Sequence, residues 1–263
     1  KARGIKKHSS TDEYNYFQGI AGSIRITKRL TADAFYSYRK MDGIVDNQLI
    51  TSIKEDGYHR IPRDYEKKNI FSNQLIGSNI HYNGKNFEAG LTAVYNVFNK
   101  VLNTTPRAYN KYYPRGRDFF NAGINYKLFW KKFTLQGETA LDKNGKIATM
   151  NMLRYSPKES FQLMVMNRFY DLAYQSIYAR SIGEGSMVQN ESGFYIGLET
   201  SFLRYFKLST YGDLFYFPWK KYQLSKNGTK GFDGVVQLSY SPGYQLDMFI
   251  RYRYKNKHKD FTP

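Results

Sequence analysis

Stretches of roughly ten residues that alternate apolar and polar side chains recur along this chain, joined alternately by short and by long connections. In 87–97, FEAGLTAVYNV, the side chains of Phe87, Ala89, Leu91, Ala93, Tyr95 and Val97 fall on one side. Glu88, Gly90, Thr92 and Asn96 fall on the other, with Val94 alone out of step. A period of two is a β-strand with one oily and one polar face. Strands of about 9–11 residues, aromatic near their ends and linked short-long-short-long, are what a transmembrane β-barrel requires. No apolar run reaches about 18 residues, so no transmembrane helix is expected.

The strands read as hairpins. The first covers about 16–40 and turns at Lys28-Arg29; the second covers about 70–97 and turns at Asn83-Gly84-Lys85-Asn86, where Asn-Gly tolerates positive φ. The third, about 118–141, turns at Trp130-Lys131-Lys132. The fourth, about 146–170, turns at Ser156-Pro157-Lys158-Glu159, and the alternation of its first strand is poor. The fifth and sixth, about 193–217 and 231–254, turn at Leu203-Arg204-Tyr205 and Ser241-Pro242-Gly243, and a basic coil, KNKHKDFTP, follows. Polar connections fill 41–69, 98–117 and 171–192, the last with room for a helical turn, while Asp142-Lys143-Asn144-Gly145 is unexpectedly short.

The expectation is therefore an all-β fold: an antiparallel up-and-down transmembrane β-barrel of about twelve strands, one β region over 1–263 with no second domain. By parity both termini lie on the long-connection side, whereas bacterial outer-membrane chains normally begin and end in the periplasm. A fragment of a larger barrel is expected. The rival is a soluble all-β protein, a curved single sheet or a sandwich. A sandwich would bury Ile24, Leu91, Ile124, Leu135 and Leu238; a barrel would expose them as an outward band.

Composition agrees with strands and with the aromatic girdles of a barrel: 17% of residues are aromatic, with 25 Tyr and 19 Phe. A mean hydropathy of -0.64 is compatible with a membrane barrel, because only alternate strand positions need be apolar. The opening KARGIKKHSS has no apolar h-region, so no signal peptide is expected there, as in a mature or excised chain. With 0 Cys, disulfides, cysteine zinc sites and thiol nucleophiles are excluded, and His8, His59, His81 and His258 show no metal-binding spacing. No metal and no cofactor is expected. The net charge of +18 suits a polyanion such as DNA or an acidic glycan, and equally suits solubility and loops facing lipopolysaccharide.

The polar faces carry Arg25, Asp33, Arg39, His81, Glu88, Glu138, Arg168, Glu199, Asp213, Asp233, Asp247, Arg251 and Arg253. Arg25, Arg39, Glu88, Glu138, Glu199, Arg251 and Arg253 are the lumen candidates for a selectivity ring. The alternative is that they satisfy one another across neighbouring strands. Two basic-aromatic segments, PRAYNKYYPRGR at 106–117 and FPWKKYQLSK at 217–226, offer Arg107, Lys111, Arg115, Arg117, Trp219, Lys220 and Lys221. Such groups stack rings and hold phosphates, or anchor strand ends at a membrane interface. No enzyme is indicated: Ser78 and His81 lack a nucleophile motif, and Gly183-Glu184-Gly185 reads only as a turn.

Short segments spread along the chain carry a resemblance. They are Ala2-Arg3-Gly4, Gly57-Tyr58-His59-Arg60 before Pro62, Gly90-Leu91-Thr92-Ala93-Val94, Gly193-Phe194-Tyr195, Gly197-Leu198-Glu199, Phe217-Pro218-Trp219, and Arg251-Tyr252-Arg253 with Lys255-Asn256-Lys257. In these the chain resembles the large helix-hairpin-helix domain-containing outer-membrane proteins of Bacteroidetes. In that family a segment similar to DNA-uptake proteins precedes a barrel-like region. No helical Gly-Ile-Gly hairpin occurs here, so DNA binding is carried onto no residue. The expected role is an outer-membrane barrel giving passage or docking to an external solute or polymer, with membrane lipid and lipopolysaccharide as surroundings. The alternative is a soluble or surface-exposed binding protein for acidic polysaccharide or nucleic acid, without transport. A continuous polar channel would favour passage, and a plug, for instance by 41–69, would favour docking.

Overall fold

The computed structural model describes residues 5, 14 and 16–260, so Ala2-Arg3-Gly4, His8 and the last residues of the expected basic coil lie outside the described residues. The first elements are β1 (Gly19–Arg25), β2 (Leu30–Met41), β3 (Gly43–Asp46), β4 (Leu49–Ile53) and the short helix α1 (Pro62–Tyr65). Next come β5 (Phe71–Asn83), β6 (Phe87–Leu102), β7 (Gly116–Trp130), β8 (Phe133–Asp142), β9 (Ile147–Lys158) and β10 (Phe161–Tyr170). The last are β11 (Glu191–Leu203), β12 (Phe206–Phe217), β13 (Thr229–Gly243) and β14 (Leu246–Lys257).

All the described strands belong to one 14-stranded sheet, and its main path is the meander β1-β2-β5-β6-β7-β8-β9-β10-β11-β12-β13-β14. Every neighbour on that path is antiparallel, and β1 and β14 share no ladder. The sheet is therefore open, consistent with a barrel fragment. Among the described residues no second sheet covers the apolar face: Ile24, Leu91, Ile124 and Leu238 are exposed and Leu135 is half-buried. The sandwich is excluded.

Register carries each face from strand to strand. Ile80 lies opposite Leu91, Leu91 opposite Ile124, and farther along Phe194 opposite Leu214 and Leu214 opposite Phe232. These pairs build the exposed apolar face. The other face is concave and largely polar, with Asp33, Arg39, Asn73, Asn96, Arg168 and Asp233 buried on it. Its apolar core lies at the long-connection end, where Met41, Ile50, Phe71, Phe98, Leu102 and Phe119 pack together. Phe98 meets Phe71 edge-on at 5.7 Å and Phe119 at 6.1 Å. Such edge-to-face pairs add to simple area burial.

Several expectations are corrected. The connection 41–69 is not irregular. It holds the β3-β4 hairpin, turning at Asn47 and Gln48 with φ of 46° and 65°, and α1 after it. Ile50 of β4 pairs in parallel with Leu102 and is fully buried, which is why the hairpin folds back on β6. The segment 171–190 contains no helix. The basic coil after Tyr254 instead continues β14, with Asn256 opposite Phe232 and Lys257 opposite Gly231. The fourth and sixth hairpins turn at Glu159-Ser160 and Tyr244-Gln245, later than expected. In both, the ladder shifts register just beside Pro157 or Pro242, since a residue without an N–H is accommodated at a bulge more readily than in a regular ladder.

Candidate functional site

The lumen candidates share the concave face but do not form a ring. Arg39 donates from Nη1 to the carbonyl oxygen of Tyr16 at 2.6 Å and also to that of Tyr14. Glu199 pairs with Lys207 at 2.9 Å, Arg253 Nε with Asp233 Oδ1 at 2.9 Å, and Arg251 Nε with Gln237 Oε1 at 2.6 Å. Glu88 lies opposite Lys127 in the ladder. Arg25 and Glu138 are exposed at separate places, on β1 and β8. Glu199, Arg251 and Arg253 thus pair with residues of the neighbouring strand, while Arg39 holds the chain ahead of β1.

The strongest charge cluster is only partly visible in sequence. Arg168, wholly buried on β10, donates from Nε to Glu191 Oε1 at 2.8 Å, and from its two terminal nitrogens to both oxygens of Asp213 at 2.8 and 3.0 Å. A Cβ at position 193 would collide with the guanidinium, so any larger residue there forces the buried group to shift. Glu191 also accepts the backbone N–H groups of Glu184 and Gly185, at distances from 2.9 to 3.1 Å. The Gly183-Glu184-Gly185 segment thus cradles a buried carboxylate. Lys221 reaches the same carboxylate at 3.5 Å and lies over the Phe217 ring. Burial pulls its ammonium below the usual lysine range, against the pull of Glu191.

From this cluster the segment 171–190 runs across the concave face as a strap. The Gln175 N–H donates to Asp142 Oδ2 at 2.9 Å, and Asn121 Nδ2 donates to the Gln175 carbonyl at 2.9 Å. The Tyr178 hydroxyl reaches Asn73 Oδ1 at 3.1 Å, and its ring meets Phe17 edge-on. The strap returns with Ser181 and Ile182 on the Tyr170 hydroxyl, and Glu184 pairs with Lys255 of β14 at 2.7 Å. Contacts on β5, β7 and β14 by one segment require a strongly curved sheet. Burial pushes the Tyr174 and Tyr178 phenols up to about 12. Asp142 also explains the short connection after β8, since its Oδ1 caps the N–H groups of Asn144 and Lys146 at 2.8 and 2.9 Å. The segment that crosses this face is thus 171–190.

The two basic-aromatic segments, far apart in sequence, meet at the long-connection end. Trp219 Nε1 donates to the Ala108 carbonyl at 2.9 Å, and the Tyr112 ring stands edge-on to Trp219 at 5.3 Å. Lys111 lies over both rings at 5.4 Å. Arg107, Lys111, Arg115 and Trp219 line a shallow cleft of about 500 Å³. A second cleft, of about 230 Å³, is lined by Tyr109, Tyr113, Lys220, Tyr222, Lys257 and Lys259. Among the described residues, Arg107, Lys111, Lys220, Lys257 and Lys259 pair with no carboxylate. Arg115 holds the loop through the Asn110 and Lys111 carbonyls, Arg117 bonds the Phe98 carbonyl, and Lys221 is taken up by Glu191. Sequence therefore finds the segments and over-counts the available cations; it misses Lys257 and Lys259, which read as tail.

Charge alone is not polarised, because Lys28, Arg29, Lys131, Lys132 and Lys158 sit at or beside the short turns. At that end the Trp130, Tyr205 and Tyr244 rings are exposed, as interfacial anchors are. No protein-family model and no curated protein matches the sequence.

Proposed function

We propose that this chain is the wall of a bacterial outer-membrane β-barrel whose long-connection end docks an external anionic polymer rather than opening a channel. The observation that carries this reading is the meeting of 106–117 and 217–226 through Trp219 and Ala108, which sets uncommitted cations around aromatic rings. Phosphate or carboxylate groups would be held by Arg107, Lys111 and Lys220, and base or sugar rings would lie on Trp219 and Tyr112. The exposed apolar face supports the membrane setting, as does the resemblance to Bacteroidetes outer-membrane proteins. The strap supports docking over passage, since it occupies the face along which a solute would move. DNA and acidic glycan share the chemistry this surface offers.

Binding of single-stranded DNA and of polygalacturonate to the protein in outer-membrane vesicles, across a salt series, tests the reading. Affinity is expected to fall with salt, and each of Arg107→Gln, Lys111→Gln and Lys220→Gln should reduce the log-log slope by about one for the polymer that binds. Trp219→Ala should weaken binding without changing the slope. Unchanged slopes in the three cation variants would end the polyanion reading.

A further inference from the structure

The exposed apolar face is interrupted by a cluster of neutral polar side chains. Tyr126 lies opposite Gly137, Gly137 opposite Asn151, and Asn151 opposite Asn167, a row running across β7, β8, β9 and β10. In the adjoining row Ile124 lies opposite Thr139 and Thr139 opposite Thr149. The row belongs to the outward face, because Asn167 alternates with buried Met166 and Arg168 and lies opposite exposed Phe194. These are interior positions of β8, β9 and β10, away from both strand ends.

Most of the cluster is internally bonded. The Tyr126 hydroxyl donates to Asn151 Oδ1 at 2.7 Å, Asn151 Nδ2 donates to Thr149 Oγ1 at 3.2 Å, and the Thr139 and Thr149 hydroxyls share a bond of 2.8 Å. The Asn167 side chain is exposed and takes part in no hydrogen bond among the described residues. Outward glycines elsewhere are covered differently. The Phe232 ring lies over Gly212 and Gly234, whereas the space beside Gly137 is filled by Asn151 Oδ1 and the Tyr126 hydroxyl. The wall here is polar where the exposed side chains around it, such as Leu128, Leu153 and Phe169, are oily.

We propose that this patch is the contact face of a twofold dimer, with a second copy of the chain seated on β8, β9 and β10 and Asn167 close to the axis. The inference rests on the membrane reading, because only in hydrocarbon is an unpartnered amide strongly unfavourable. A primary amide carries its own complement, a donor and an acceptor, so two Asn167 side chains related by a twofold axis satisfy each other. The patch bears no charge, which disfavours a charged partner. One such patch per chain gives a closed pair rather than a filament.

The chain has 0 Cys, so single cysteines report contacts cleanly. Asn167→Cys, Ile80→Cys and Val236→Cys are expressed separately in the full chain, and the native outer membranes are oxidised. The Asn167→Cys chain is expected to shift to twice the monomer mass on a non-reducing gel and to return on reduction, while the other two stay monomeric. A maleimide dissolved in the bilayer should label the Ile80→Cys thiol, which tests the membrane reading separately. If that label is taken up and Asn167→Cys remains monomeric, the dimer is overturned and the membrane reading stands. If the chain is absent from the outer-membrane fraction, both are overturned. Asn167→Leu is expected to lose the dimer on native gels, and a dimer retained in that variant would also overturn the proposal.

Discussion

Arg168 is where single substitutions have most leverage. Its guanidinium is wholly enclosed and satisfied by Glu191 and Asp213, so removing it strands two carboxylates in a poorly hydrated place. Arg168→Met is expected to cost about 3–5 kcal/mol, as breaking a buried ion pair from one side does. Gly193→Ala, which pushes a methyl into the guanidinium, is expected to cost about 1–3 kcal/mol through overpacking. Gly22→Ala has open space around it and serves as the neutral control. Urea midpoints of the detergent-refolded protein measure all three; equal midpoints for Gly193→Ala and Gly22→Ala would refute the packing argument. Little of this is visible in sequence. Arg168 and Asp213 fall on the polar face by their alternation, but Glu191 reads as loop, and its two N–H donors come from a segment with no periodicity.

Among the elements, legibility follows length and regularity. Over most of β2, β6 and β7 the residue pattern alone assigns the faces, failing where Val94 breaks step and where Phe98, Leu102 and Phe119 enter the buried core. β9 resists assignment because its chemistry is inverted: Met150 and Met152 face inward toward Glu138 and Gln136, while Thr149 and Asn151 face outward. β3 and β4 span only 4 and 5 residues, too short for a period to stand out. The strap is illegible for a different reason, since its order comes from distant partners such as Asn121 and Asn73. Its tyrosines nevertheless give it a pH signature. Tyr174 and Tyr178 have phenols raised to about 12, so the folded strap favours their neutral forms. Their contribution is complete below the ordinary tyrosine value of about 10 and is lost as pH rises from there through the folded values. Stability is expected to fall over that window. A Tyr174→Phe/Tyr178→Phe variant, unable to ionise at either site, should show a shallower fall. Unfolding midpoints across the alkaline range measure this, and identical slopes in both proteins would show that the strap is not the titrating element.

At the scale of the whole molecule, one curved sheet separates two chemistries. Its outer face is apolar along most of its rows, and its inner face carries charges that mostly satisfy one another. The strap and the apolar core close the inner face toward the long-connection end, where the paired basic loops present their cations and rings. The loops are recognisable in sequence as two basic-aromatic segments, but their meeting depends on curvature, which no local pattern encodes. Docking rather than passage is the central claim, and planar-bilayer conductance of the full-length protein, with insertion confirmed by its heat-modifiable band, tests it most directly. The inserted wild-type protein is expected to show no steady conductance, and a variant with 173–188 replaced by a short Gly-Ser linker is expected to conduct. A stable open conductance in the wild type, or a strap-replaced variant as closed as the wild type, would contradict the account.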